Sequence, residues 1–172
     1  MQQDQRFSIM HHKLAAAAAT AAAAAAMALS LTGVAGAAAS HSGKIAYQAV
    51  TANNGKPADV VTGALNDHGT DKGVGKNGEK IILSRGTFTI DATRFNKSVK
   101  VKMDKKDCIA IGHGFAANLP ISKGTGAYKD ITGTITVRGS FTFFGVLSDG
   151  KCNLNRSTAS ASVFSGTGHL SY

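Results

Sequence analysis

The side chains able to do acid–base or ligand chemistry are thinly spread along this sequence. Beyond residue 40 the histidines are His41, His68, His113 and His169. No two stand at the i, i+4 spacing that puts a pair of imidazoles on one helix face. Asp67-His68-x-x-Asp71 comes nearest to a ligand cluster. Its setting reads as a solvated turn, so no metal site is expected. His113 lies between Gly112 and Gly114 in an extended run; directed into a closed barrel, it is the best single candidate for a functional imidazole. The acids Asp59, Asp91, Asp104, Asp107 and Asp130 are scattered. Asp91 alternates with apolar residues. Facing a closed interior it would be desolvated and its pKa raised, as a general acid requires; facing solvent it is ordinary, and filled small barrels favour the second.

Catalytic and cofactor motifs are missing. Gly73-Val74-Gly75-Lys76-Asn77-Gly78 matches a dinucleotide fingerprint as a string, but a strand follows it where a helix is needed, so it reads as a turn. There is no phosphate-binding G-x-x-x-x-G-K-[ST] and no G-x-S-x-G nucleophile elbow. No cofactor is expected.

Charge is the strongest compositional signal. The chain has 19 Lys and Arg against 10 Asp and Glu, a net charge of +9. Arg6, Lys13 and Asp4 are the charged residues before Ser40, which leaves +8 on the remainder. Lys97, Lys100, Lys102, Lys105 and Lys106 form a basic cluster, with Lys100 and Lys102 on one face of a strand. As a patch it would attract an anionic surface or polymer; as a plain solvated face it needs no partner. No aromatic stacking platforms are interleaved with it, which argues against nucleic acid.

The elements that must position these groups follow an export signal. Met1 to Lys13 is polar, Leu14 to Leu31 is uncharged and alanine-rich, and small residues follow. Residues 1–39 therefore read as a signal peptide, helical in its apolar part, with cleavage after Ala37 or Ala39. Contact with a membrane is expected only through an uncleaved signal. Residues 40–172 are the working domain, expected to be secreted, as a monomer or small homo-oligomer. Cys108 and Cys152 are the sole cysteines, and outside the cell one bridge is the only pairing they allow; two buried thiols are the alternative.

Alternation with period two dominates this domain. Ile135, Val137, Phe141 and Phe143 share one face and Thr134, Thr136, Arg138, Ser140 and Thr142 the other, with Gly139 on the apolar side. Similar runs cover Thr87–Ala92, Ser98–Met103 and Thr158–Val163. Lys44–Val50, Asp59–Leu65, Lys80–Ser84 and Ile109–Ala116 complete eight strands, separated by Asn-Gly, Arg-Gly and Asp-Gly turns. The fold class expected is all-β, an eight-stranded antiparallel barrel, since closure removes exposed edges.

One segment carries a family resemblance. Lys123-Gly124-Thr125-Gly126-Ala127-Tyr128, followed by Ile131-Thr132-Gly133, resembles the G-T-G-x-Y-x-x-x-x-G signature of allene oxide cyclase-like and dirigent-like barrels, and of small secreted actinobacterial proteins of that type. The resemblance implies a calycin-like, eight-stranded antiparallel barrel in which the signature opens a hairpin into a long strand. It carries no catalytic residues across. Tyr128 would cap one barrel end, or with His113 and Asp91 line a pocket.

Three functions remain open. The leading one is a non-enzymatic binding module for a small apolar ligand or an anionic cell-wall polymer. A cyclase or isomerase of the family's kind is second, and it needs His113 or Asp91 to face a cavity. A structural or interaction role at the cell surface is third.

Overall fold

The computed structural model describes residues 41–53 and 55–172. The signal-peptide and signal-helix expectations for residues 1–39 lie outside them. Nine strands and one short helix follow in order: β1 Ser42–Ala52, β2 Ala58–Gly63, β3 Asp67–Val74, β4 Gly78–Leu83, β5 Gly86–Asp91, α1 Thr93–Ser98, β6 Lys100–Asp104, β7 Ile109–Gly126, β8 Thr132–Ser148 and β9 Lys151–Ser171. The hydrogen-bonded order runs β5-β4-β3-β2-β1-β9-β8-β7-β6, and β5 pairs back onto β7. That pairing closes an eight-stranded antiparallel barrel of β1–β5 and β7–β9. β6 lies outside the ring, on the free edge of β7.

Alternation sets inside from outside. On β8, Ile135, Val137, Gly139 and Phe141 are buried while Thr134, Arg138 and Ser140 are exposed. On β1, Ile45, Tyr47 and Ala49 point in. On β7 the parity changes: Gly112, Gly114 and Ala116 are buried, then Leu119 and Ile121. The switch falls at a β-bulge between Ala116 and Leu119, opposite Val137 and Ile135. One extra residue there turns both apolar sets inward.

Strand length divides the barrel. β2, β4 and β5 have 6 residues each, whereas β7, β8 and β9 have 18, 17 and 21. At ~3.3 Å per residue the long strands greatly overrun the short ones. β5 takes the end of β7, from Ile121 to Gly126, and β6 takes its start, from Ile109 to His113. The overrun also carries the bridge between Cys108 and Cys152, whose Cα atoms are 5.1 Å apart and whose sequence separation is 44. A loop of that size stabilises by about 4 kcal/mol in the chain-entropy account.

Two sequence expectations need correction. Asp67–Asp71 is not a turn: it opens β3, which forms antiparallel ladders with β2 and β4. The run Ser98–Met103 is not a barrel stave: it becomes the last residue of α1 and the outlying β6, every residue of which is exposed. A helical turn, α1, precedes it and buries Phe95. Within the Gly73–Gly78 string, Gly75–Asn77 form the turn that joins β3 to β4, and the flanking residues end the two strands.

Candidate functional site

The residues expected to line a common pocket lie in three separate places. His113 is exposed, on the outer face of β7. Its neighbours in sequence explain why. An ideal Cβ on Gly112 would lie 2.1 Å from Phe141 Cζ, on Gly114 2.9 Å from Phe95 Cζ, and on Gly139 2.2 Å from Phe164 Cδ1. Rings from α1, β8 and β9 fill the volume under β7, so its glycines face in and Ile111, His113 and Phe115 face out. The alternation was legible but its direction is the reverse of what size suggests.

Asp91 ends β5 and is fully exposed. Its Oδ1 accepts from the Thr93 hydroxyl at 2.6 Å and the Thr93 N–H at 2.9 Å, fastening the start of α1. Those hydrogen bonds lower its pKa, the opposite of the shift a lumenal general acid would show.

Tyr128 is completely buried at the barrel end where the β7–β8 connection packs. The glycines of the signature make this possible. A Cβ on Gly124 would fall 1.5 Å from the Tyr128 carbonyl oxygen, and Gly126 has φ +61°. The Tyr128 hydroxyl donates to Asp67 Oδ2 at 2.5 Å, and its ring packs edge-on against Phe88 and Tyr172. Asp67 also accepts from Ser84 Oγ at 2.6 Å and from the N–H groups of His68 at 2.8 Å and Arg85 at 3.2 Å. Burial opposes ionisation of Asp67, but these donors prevail and hold its carboxyl well below the usual range. The Arg85 guanidinium lies 5.7 Å from the centre of the Tyr128 ring and 3.5 Å from Asp67. Tyr128 is thus a structural lock with all its polar capacity engaged.

Two places hold unengaged chemistry. The first is an open groove of about 490 Å³ on the outer face, lined by Ser98, Lys100, His113, Phe115, Arg138 and Ser140 with parts of β9. Strand register assembles it. Lys100, His113, Ser140 and Val163 are successive partners across β6, β7, β8 and β9. Phe115, Arg138 and Ser165 form the next row. A second concavity of about 280 Å³ continues it over Gln48 and Thr167, sharing Phe115, Arg138 and Ser165. No acid lines either one. Phe115 and Val163 are each 52% exposed, so apolar surface lies beside two permanent cations. Lys100 is the member of the basic patch that enters the groove. Lys97 lies in the last turn of α1, Lys102 continues along β6, and Lys105 and Lys106 occupy the turn after it, all exposed. Phe115 is the aromatic neighbour that linear sequence did not reveal.

The second place is the inner wall of β1–β4. Asp59 on β2 is 1% exposed. Asp71 on β3 and Glu79 on β4 are half-buried, and the Tyr47 hydroxyl donates to Asp71 Oδ2 at 3.4 Å. Burial and the facing Asp71 push Asp59 up to about 7. Burial, with Asp71 and Asp59 nearby, pushes Glu79 up to about 8, and burial raises Asp71. Burial and the three acids raise Tyr47 as well. Among the described residues, no group of three His, Cys, Asp or Glu side chains converges closely enough to hold a metal ion.

The chain matches no protein-family model, no curated protein and no solved structure.

Proposed function

We propose that this protein is exported and works outside the cell as a non-enzymatic β-barrel binding module. Its ligand is an anionic cell-surface polymer that also offers apolar surface. One observation carries this reading: Phe115 and Val163 share an acid-free groove with Lys100, His113 and Arg138. Cations on a shallow concave face attract a polyanion over roughly a Debye length, and the exposed ring and valine add contact that salt does not screen. The Cys108–Cys152 bridge supports an oxidising compartment. The hairpin built by Gly124–Tyr128 supports kinship with allene oxide cyclase-like and dirigent-like barrels.

A lumenal apolar ligand has less support, because Leu65, Ile81, Phe88, Leu119, Tyr128 and Ile135 are fully buried side chains packed in the core. The cyclase reading loses the two residues put forward for it, since His113 and Asp91 both face solvent.

The test is co-sedimentation of the protein with cell wall bearing polyglycerol phosphate, across a salt series. Binding should weaken about tenfold between roughly 50 and 300 mM salt and should fall in Arg138→Ala and Lys100→Ala. Absence of binding at low salt would refute it.

A further inference from the structure

Asp59, Asp71 and Glu79 occupy inward positions that the barrel pattern reserves for apolar side chains. Asp59 stands opposite Ala49 on β1, Asp71 opposite Ile81 on β4, and Glu79 opposite Ile90 on β5. Neither carboxyl oxygen of Asp59 meets a donor, and nor does Glu79 Oε1. The group facing Asp59 is another carboxyl, Asp71, and the two can bond only through a proton. The titratable groups around Asp59 are Tyr47 on β1, Asp71 on β3 and Glu79 on β4. Among the described residues, the ion pair present is Arg85–Asp67, near the opposite end of β3. Among the described residues, no Lys, Arg or His is paired with this wall. An uncompensated buried carboxylate is costly, so such a wall either keeps protons or takes in a cation.

We propose that Asp59, Asp71 and Glu79, with Tyr47, form a binding site for the guanidinium or primary ammonium group of a small organic ligand. The placement fits that chemistry. Burial deepens from half-buried Asp71 and Glu79, near the β3–β4 turn, to fully buried Asp59. A guanidinium or ammonium brings several N–H donors, which can satisfy two carboxylates at once. A bare divalent ion is disfavoured, because the three carboxyls do not converge on one point. Tyr47 supplies the wall's own donor and keeps Asp71 oriented. In the row of Asp59 and Ala49 the next inward residue is Phe164, an apolar surface for the ligand's carbon chain. This site is independent of the outer groove.

A cation entering the wall displaces its protons, which gives a readout that mere surface attraction lacks. The experiment is calorimetric titration of the purified protein with agmatine, and separately with butylamine, at pH 7.5 in two buffers of different ionisation enthalpy. The expected result is saturable binding with release of roughly one proton per ligand, at least about tenfold weaker at pH 5. Asp59→Asn keeps the shape of the protonated wall and should lose both affinity and proton release. Glu79→Gln, half-buried and so less exposed to folding defects, should weaken binding in the same direction. No binding of either amine, binding without proton release, or unaltered binding in folded Glu79→Gln would each overturn the proposal. So would calcium ion competing for the same wall more tightly than the amines.

Discussion

The Tyr128 hydroxyl donates to Asp67 Oδ2 across 2.5 Å, tying the β7–β8 connection to a residue 61 positions earlier at the start of β3. Replacing Tyr128 with Phe removes one donor from a buried, ionised carboxylate and should cost about 1.5–3 kcal/mol. Tyr172→Phe is the control: its hydroxyl donates to the Ala64 carbonyl at 3.0 Å, a neutral acceptor, and should cost about 1 kcal/mol. Urea denaturation at pH 7 measures both.

Stability should peak in mildly acidic solution, because two groups of carboxyls act with opposite signs. Asp67 is held below its ordinary pKa, so its contribution is present above about pH 4 and is lost as pH falls towards the folded value. Asp59 and Glu79 are raised to about 7 and about 8, so their contribution is full below about pH 4 and is lost as pH climbs through those values. Thermal melts from pH 2 to pH 9 should show a maximum at about pH 4. Asp59→Asn should flatten the alkaline limb and leave the acid limb unchanged, while Asp67→Asn should do the reverse. A single descent towards acid, with no alkaline limb, would contradict the arrangement of the inner wall.

Gly124 and Gly75 should respond very differently to alanine. A Cβ at Gly124 would overlap the Tyr128 carbonyl oxygen, part of the backbone, which cannot turn aside as a side chain can. At Gly75 nothing lies within 4 Å, and only φ +61° opposes the change. Gly124→Ala should cost about 3 kcal/mol or more, and Gly75→Ala about 1 kcal/mol. Chemical denaturation of the two variants side by side decides it.

How much of this was readable in the chain depends on where the apolar residues are. β8 was plain because Ile135, Val137 and Phe141 face in and threonines face out. The two cysteines allowed one pairing, and the structure makes it. β3 was hidden because its inward positions are Asp67, Gly69, Asp71 and Gly73, which leave no apolar alternation to detect. The acids that make the inner wall chemically unusual are thus the reason its strand read as a turn. β6 was counted in its place because Val99, Val101 and Met103 alternate with Ser98, Lys100 and Lys102, although the strand lies outside the barrel. The number eight was right while one member was exchanged. His113 was misdirected for a tertiary reason: the rings filling the space under Gly112, Gly114 and Gly139 come from residues distant in sequence. The outer groove was half legible. Lys100 stood out as part of a basic cluster, but Phe115 and Arg138 join it only through strand register.

The central claim, polyanion capture in the outer groove, is tested most directly by amide chemical-shift mapping with short polyglycerol phosphate. Progressive shifts should centre on Lys100, His113, Phe115 and Arg138, extend to Gln48 and Thr167, and disappear in Arg138→Ala. Shifts centred on Lys123 and Lys129 at the signature end of the barrel, or none at saturating polymer and low salt, would contradict it.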